Sequence, residues 1–344
     1  MDVLGAPPAY ETGGRGPARG RLGRYLAADG SLGAPVGVDF ERPHAGVVVG
    51  KRGAGKSYTL GVLAEGLAEA GGVAPVVVDP MGAFGGLSAA GLDVVEPRVR
   101  ADALPPRAWC SLLDLDPASA PGTLVWRAAD AARTLEGMRS WVADSDAATA
   151  ACRAASNHLA LAASWDCFAL DAPTAADLLD GGAVLDCTDI QGAPLEAVVH
   201  AVADSLYRAA VADRLPSLPW LLVDEAHACA SGVAADAVAT LYTQGRAPGA
   251  SVVLASQRPS ALPEVAISQS DLVVAHRLTS QADVDALAAA QPRYLAGSIA
   301  SRLPGGRGEA LVVDDATESV CTVRVRERRT EHGGGSARAS GGSA

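Results

Sequence analysis

Short runs of β-branched and aliphatic residues recur along the chain, separated by longer alanine-rich stretches. "AGVVVG" (45–50), "VAPVVVD" (73–79), "GAVLDCT" (182–188), "WLLVDE" (220–225), "SVVLAS" (251–256), "DLVVAH" (271–276) and "EALVVD" (309–314) lack the in–out alternation of a half-wet strand. They predict strands buried on both faces, and their alternation with helical stretches predicts an α/β fold, a mostly parallel sheet flanked by helices. Between about 100 and 180 the strand signal disappears, and segments such as "TLVWRAADAARTLEGMRSWVADSD" predict a helical insertion between the second and third core strands. Two helix starts carry a capping pattern, Thr174 with Asp177 and Ser280 with Asp283.

The two ends read differently. Residues 1–35 are rich in Gly, Pro and Arg without a sustained period, which predicts a flexible arm leading into a short strand or hairpin. Residues 331–344 form a Gly/Ser-rich tail predicted to be disordered. The stretch between them, 36–330, is expected to form one large domain, since 344 residues can bury a substantial core.

Composition narrows the setting. The six cysteines are scattered without a C-x-x-C pair, against both a zinc site and a disulfide framework. No apolar run approaches the length of a bilayer span and no secretion signal opens the chain, so no membrane association and a cytoplasmic location are expected. The formal charge of −11 suits a salt-rich, halophilic cytosol, or equally a GC-rich genome that favours arginine over lysine codons. An acidic balance also disfavours broad nucleic-acid binding, so any phosphate contact has to be local.

Against that background the lysines stand out. Of 28 basic residues all but Lys51 and Lys56 are arginine, and both lie in "GVVVGKRGAGKSY" (46–58). Residues 50–57 match G-x-x-x-x-G-K-S, preceded by a strand and opening a helix, which is the context a phosphate loop requires. Gly50, Gly53, Ala54, Gly55 and Tyr58 supply a turn whose N–H groups can face a phosphate, with the helix N-terminus adding partial positive charge. Lys56 is expected at the β- and γ-phosphates and Ser57 on Mg²⁺, which makes ATP and Mg²⁺ the cofactors. Lys51 occupies a variable position with no chemistry that demands it.

In "PWLLVDEAHA" (219–228) a buried strand delivers Asp224 and Glu225 to the sheet edge where α/β folds place ligands. Asp224 is expected to hold Mg²⁺ through water and Glu225 to polarise the attacking water. Gln257 ends a further core strand and is either a γ-phosphate sensor or an ordinary polar strand end. Arg246, in a Gly/Pro-rich turn, is either an arginine finger toward a neighbouring subunit or a solvated loop residue. Asp79, before Pro80, is either a weak contributor to the site or an ordinary strand-end turn.

The order of "GKRGAGKSYTLGVLAE", "VVVDPMG", "VLDCTDIQG", "LLVDEAH", "GRAPGASVVLASQRPSAL" and "SQSDLVVAHRLTSQADVDAL" resembles the HerA/FtsK superfamily, its HerA branch most. The resemblance covers roughly residues 36–334. It implies a RecA-like P-loop ATPase that assembles as a homo-oligomeric, usually hexameric, ring and pulls double-stranded DNA through its channel. It also implies Lys56, Ser57 and Asp224 as nucleotide and Mg²⁺ ligands, Glu225 as base, Gln257 as sensor and Arg246 as a finger acting on the next subunit. The 44 residues ahead of the first core strand are too few for the β-barrel with which longer members engage a nuclease, so that partner is not expected. A DNA packaging or transfer motor of a virus or plasmid is an alternative within the class. A non-motor nucleotide switch or kinase is an alternative outside it, disfavoured by Glu225. A DEAH-box helicase needs two RecA-like lobes, for which the chain after Asp224 has no room. Arg127, Arg133, Arg139 and Arg153 of the insertion are candidates for DNA contact or for a solvated face, and the cluster Arg324, Arg326, Arg328, Arg329 for an interface, a phosphate or solvent.

Overall fold

The computed structural model describes residues 1–6, 18–229, 231–289, 294 and 298–333. The predicted Gly/Ser tail lies, from residue 334 on, outside the described residues. In chain order the elements are β1 (Asp2–Leu4), β2 (Arg19–Leu26), β3 (Leu32–Asp39), β4 (Ala45–Val49), α1 (Lys56–Glu69), β5 (Val73–Asp79) and β6 (Asp93–Val95). Five helices follow, α2 (Pro106–Leu112), α3 (Ala120–Ala131), α4 (Leu135–Ala143), α5 (Thr149–Ala163) and α6 (Ala175–Leu178). Then come β7 (Ala183–Asp186), α7 (Ala193–Val211), β8 (Leu218–Val223), α8 (Gly232–Gln244), β9 (Ser251–Ser256), α9 (Glu264–Ser268) and β10 (Leu272–Ala275). The chain closes with α10 (Gln281–Ala289), α11 (Ile299–Arg302), β11 (Glu309–Asp314) and β12 (Ser319–Val325).

Each of the seven apolar runs forms a strand, and the twelve strands share one sheet in the order β1-β3-β2-β12-β11-β10-β4-β9-β8-β5-β7-β6. From β10 to β6 every neighbour is parallel, while β11, β12 and β2 continue it antiparallel. Burial on both faces explains why β4 is apolar at consecutive positions. Val47 and Val49 join the core under α7, α8 and the insertion, and Val48 joins the core under α1. Phe40 and Trp220 meet edge to face in that second core, with ring centroids 5.2 Å apart.

The N-terminal segment departs from the expected flexible arm, because β1, β2 and β3 extend the sheet beyond β12. The reason it does not read as a strand is its glycines. Gly23 lies so close to the Arg324 carbonyl that a Cβ there has no space, and Gly66 of α1 packs against Gly20. Close backbone approach takes the place of an apolar side chain. The insertion is helical, with α2 to α5 packed on one another and onto α7 and α8. Thr174 and Asp177 form a reciprocal capping box. Asp283 is engaged otherwise, since its carboxylate accepts from the Ser260 hydroxyl at 2.8 Å and thereby ties α10 to the segment after β9.

Candidate active site

Strand direction sorts the candidate residues. β4, β8 and β9 are parallel, so Gly50, Asp224 and Gln257, each placed just past its strand, meet at the carboxyl edge of the sheet. Arg246 precedes β9, and its turn packs at the other end, with Gly249 against Leu218 and the Leu218 N–H on the Gly72 carbonyl at 2.9 Å. A six-residue strand separates the two edges by about 20 Å. Lys56, Ser57, Asp224, Glu225 and Gln257 are thus brought together, and Arg246 is not among them.

The loop from Gly50 to Gly55 is shaped by backbone geometry that a side chain would obstruct. Gly50 and Gly55 have φ of 157° and 123°, and a Cβ on Gly50 would sit 2.6 Å from the Cβ of His276. Among the described residues no side chain caps the start of α1, which suits its first N–H groups to an anion. Lys56 is buried, and its pKa is lowered by that burial against the opposing charges of Glu225 and Asp224.

Asp224 is wholly buried at the end of β8. Burial pushes its pKa up to about 6, the neighbouring Ser57 hydroxyl pulls it down, and the charge of Glu225 raises it. Among the described residues neither carboxylate oxygen has a hydrogen bond of normal geometry. Such a group is costly unless something compensates it. A hard cation beside the Ser57 hydroxyl fits this pair of oxygen donors.

Glu225 is a non-glycine residue in the left-handed region, with φ 46°. That turn holds its side chain at the edge, where Gln257 Nε2 donates to Oε1 at 2.7 Å and His227 Nδ1 stands 3.3 Å from Oε2 outside hydrogen-bond geometry. Asp79 is spent on its own turn, accepting from the N–H groups of Met81, Ala83 and Phe84 at 3.1, 3.0 and 2.8 Å, which agrees with the strand-end reading.

Sequence reasoning passed over His276, the fully buried residue at the end of β10. Its Nδ1–H donates to the Glu309 carbonyl at 2.7 Å, so Nε2 accepts from the Thr59 hydroxyl at 2.9 Å. Burial lowers its pKa to about 4 and keeps it neutral. The ring fills the space beneath the glycine loop and bolts α1 to β10 and β11. A polar residue ending a buried apolar run beside a phosphate loop was the available signal.

The Helicase HerA central-domain profile matches residues 21–155, from β2 through the glycine loop into α5. VirB4 of Thermoanaerobacter pseudethanolicus superposes with TM-score 0.67 at 17% identity, over 90% of this chain and 97% of that one. The plasmid coupling protein TrwB, solved with ADP and Mg²⁺, superposes with TM-score 0.59 at 16% identity, over 94% and 98%. The chain thus resembles HerA-type proteins over residues 21–155 and shares its fold with VirB4 and TrwB. No curated protein sequence matches it. The HerA-type profile begins inside β2, in the stretch that reads as an arm, while the Asp224, Glu225 and Gln257 edge of this RecA-like core falls beyond the matched residues. Among the described residues no helix is long and apolar enough to cross a membrane.

Proposed function

We propose that this chain is an ATP-hydrolysing, ring-forming DNA translocase of the HerA type. The observation that carries the reading is the carboxyl edge itself, with buried Lys56 facing a buried, unpartnered Asp224 and a Glu225 oriented by Gln257. Mg²⁺ bound with ATP supplies charge neutralisation for phosphoryl transfer. Ser57 and Asp224 hold it. The loop N–H groups from Gly53 to Ser57 and the Lys56 ammonium bind the phosphates, and Tyr58 borders them. Glu225 takes the proton of the attacking water, and Gln257, hydrogen-bonded to that base, couples its position to the γ-phosphate.

Lys56 requires a compact cation in its buried position, and the planar fork of arginine is a poor substitute. Lys56→Arg is expected to lower ATP affinity at least tenfold, whereas Lys51→Arg is expected to leave it within about twofold, as read by calorimetry.

The position of Arg246 at the amino edge supports a ring, since only the carboxyl edge of another subunit brings it a phosphate. Duplex DNA as cargo follows from the HerA resemblance. The folds of VirB4 and TrwB keep a plasmid- or virus-related DNA transfer or packaging motor as the second reading. A switch or kinase is disfavoured by a base already hydrogen-bonded to a sensor.

Subunit mixing tests the ring. Arg246→Ala and Glu225→Gln proteins are each expected to be inactive in duplex-stimulated ATP hydrolysis. Mixed in equal amounts, they regain activity at about one in four interfaces, where an intact base meets an intact finger. Full activity of Arg246→Ala alone, or no recovery on mixing, would sink the trans-acting site.

A further inference from the structure

Outside the nucleotide site, the two edges of the sheet carry complementary features. At the carboxyl edge the turn after β5 is pinned by Asp79, whose carboxylate takes the N–H groups of Met81, Ala83 and Phe84. Ala83 and Phe84 are buried, whereas Met81 is held outward and is 63% exposed. The turn after β7 lies alongside, with Thr188 Cγ2 3.3 Å from the place a Cβ on Gly82 would take. On either side of Thr188, Asp186 and Asp189 are exposed.

The amino edge has a cavity of about 150 Å³ where β5 and β8 begin. Leu215, Pro216, Leu218 and Pro248 supply most of its wall, with Asp213 and Ser217 as its polar members. Pro248 belongs to the turn that presents Arg246. Arg214, directly ahead of Leu215, is exposed, and its guanidinium makes no hydrogen bond or ion pair among the described residues. One edge thus shows an apolar knob flanked by acids, and the other an apolar cavity flanked by an unpaired cation.

The lateral order of the two edges agrees. At the carboxyl edge Gln257 and Glu225 follow β9 and β8, and Met81 and Asp186 lie at the ends of β5 and β7. At the amino edge Arg246 precedes β9, and the cavity opens at β8 and β5. The seven residues of β5 put about 23 Å between Met81 and the cavity, so the two cannot meet within one chain. Two copies placed carboxyl edge to amino edge, strands aligned, bring Arg246 over the phosphates and the cavity over Met81 together.

We propose that Met81 of a second copy of this chain fills the amino-edge cavity, where Arg214 faces Asp186 and Asp189 of that same copy. The inference rests on the ring reading and gives the ring its apolar joint. Such a contact is head to tail, and it leaves a knob and a cavity unused at the open ends until a ring closes. The unbranched, polarisable chain of methionine adapts to a cavity with stiff proline walls. The flanking charges fix the register of the joint.

The test is self-association of the full chain with Mg²⁺ and a non-hydrolysable ATP analogue, read by analytical ultracentrifugation. Met81→Glu alters an exposed side chain and should leave the melting temperature unchanged. It is expected to weaken assembly at least tenfold, because it places an unpaired charge in the joint. Proximity is read by mixing Met81→Cys with Ser217→Cys proteins under a small-molecule disulfide as oxidant. A crosslinked dimer is expected from the mixture, and from neither variant alone nor the parent chain. Undiminished assembly of Met81→Glu, or no mixed crosslink from chains that do assemble, overturns the joint and leaves the ring standing. A parent chain that stays monomeric with the analogue, with and without duplex DNA, overturns the ring reading itself and the joint with it.

Discussion

Glu225→Gln is expected to reduce ATP hydrolysis by about 10²- to 10⁴-fold while ATP binding persists within a few-fold. The amide keeps the shape of the carboxylate and a carbonyl oxygen for the Gln257 Nε2–H that now lies 2.7 Å from Oε1. What it loses is the capacity to take a proton. On the proposed reading, ground-state contacts to the phosphates come from the loop and Lys56, so binding should survive. Single-turnover hydrolysis alongside equilibrium nucleotide binding checks both halves. Residual turnover near the original rate would remove Glu225 as the base.

Glu65→Ala is expected to be the most destabilising single change on the surface of α1. Glu65 is 1% exposed although it lies on a helix otherwise packed through apolar residues. Its Oε1 accepts from the N–H groups of Arg329 and Thr330 and the Thr330 hydroxyl, each at 2.8 Å, and its Oε2 accepts from Arg326 at 2.6 Å. The buried Arg328 guanidinium lies over the Phe84 ring at 5.7 Å and reaches the Ala83 carbonyl at 3.2 Å. It occupies the space a Cβ at Gly61 would take. Removing the carboxylate leaves these cations and N–H groups uncompensated, at a cost of about 3–5 kcal/mol. Denaturant unfolding measures it.

The same carboxylate gives a pH dependence of defined sign. Burial alone would raise the Glu65 pKa, but the hydrogen bonds from Thr330 and Arg326 outweigh it and hold it below the ordinary 4.5. A depressed carboxylate contributes its stability in full above the unfolded value and loses it as pH falls through the folded one. The melting temperature should therefore be insensitive to Glu65 from pH 7 to about 5, then drop more steeply in the parent than in Glu65→Gln. Equal slopes in acid would show that Glu65 carries no such share.

The same hub engages most of the basic cluster at the C-terminal end within the subunit. Arg326 pairs with Glu65, Arg329 with Glu69, and Arg328 is buried between α1 and the turn after β5. Only Arg324, bound to Glu309 at 2.7 Å, stays on the strand face. In the insertion, Arg133 pairs with Asp102 at 3.1 Å and Arg127 covers Trp141, which suits a solvated face better than a DNA groove.

What was legible and what was not divide along a physical line. Sequence alone determined the seven buried strands, because apolar runs bounded by glycine leave little choice, and it determined the glycine loop with Lys56 and Ser57. It also placed Asp224 and Glu225 at a strand end, because that chemistry is written within a dozen neighbouring residues. Sheet order, which no local pattern encodes, decided the rest. It recruited β1 to β3 through glycines that permit backbone contact, and it set His276 beneath a loop 226 positions earlier in the chain at Gly50. It brought Arg328 and Thr330 to Glu65, and it put Arg246 on the edge away from its own phosphates. Each of these joins residues far apart in sequence, where the energy lies in a contact that only packing creates.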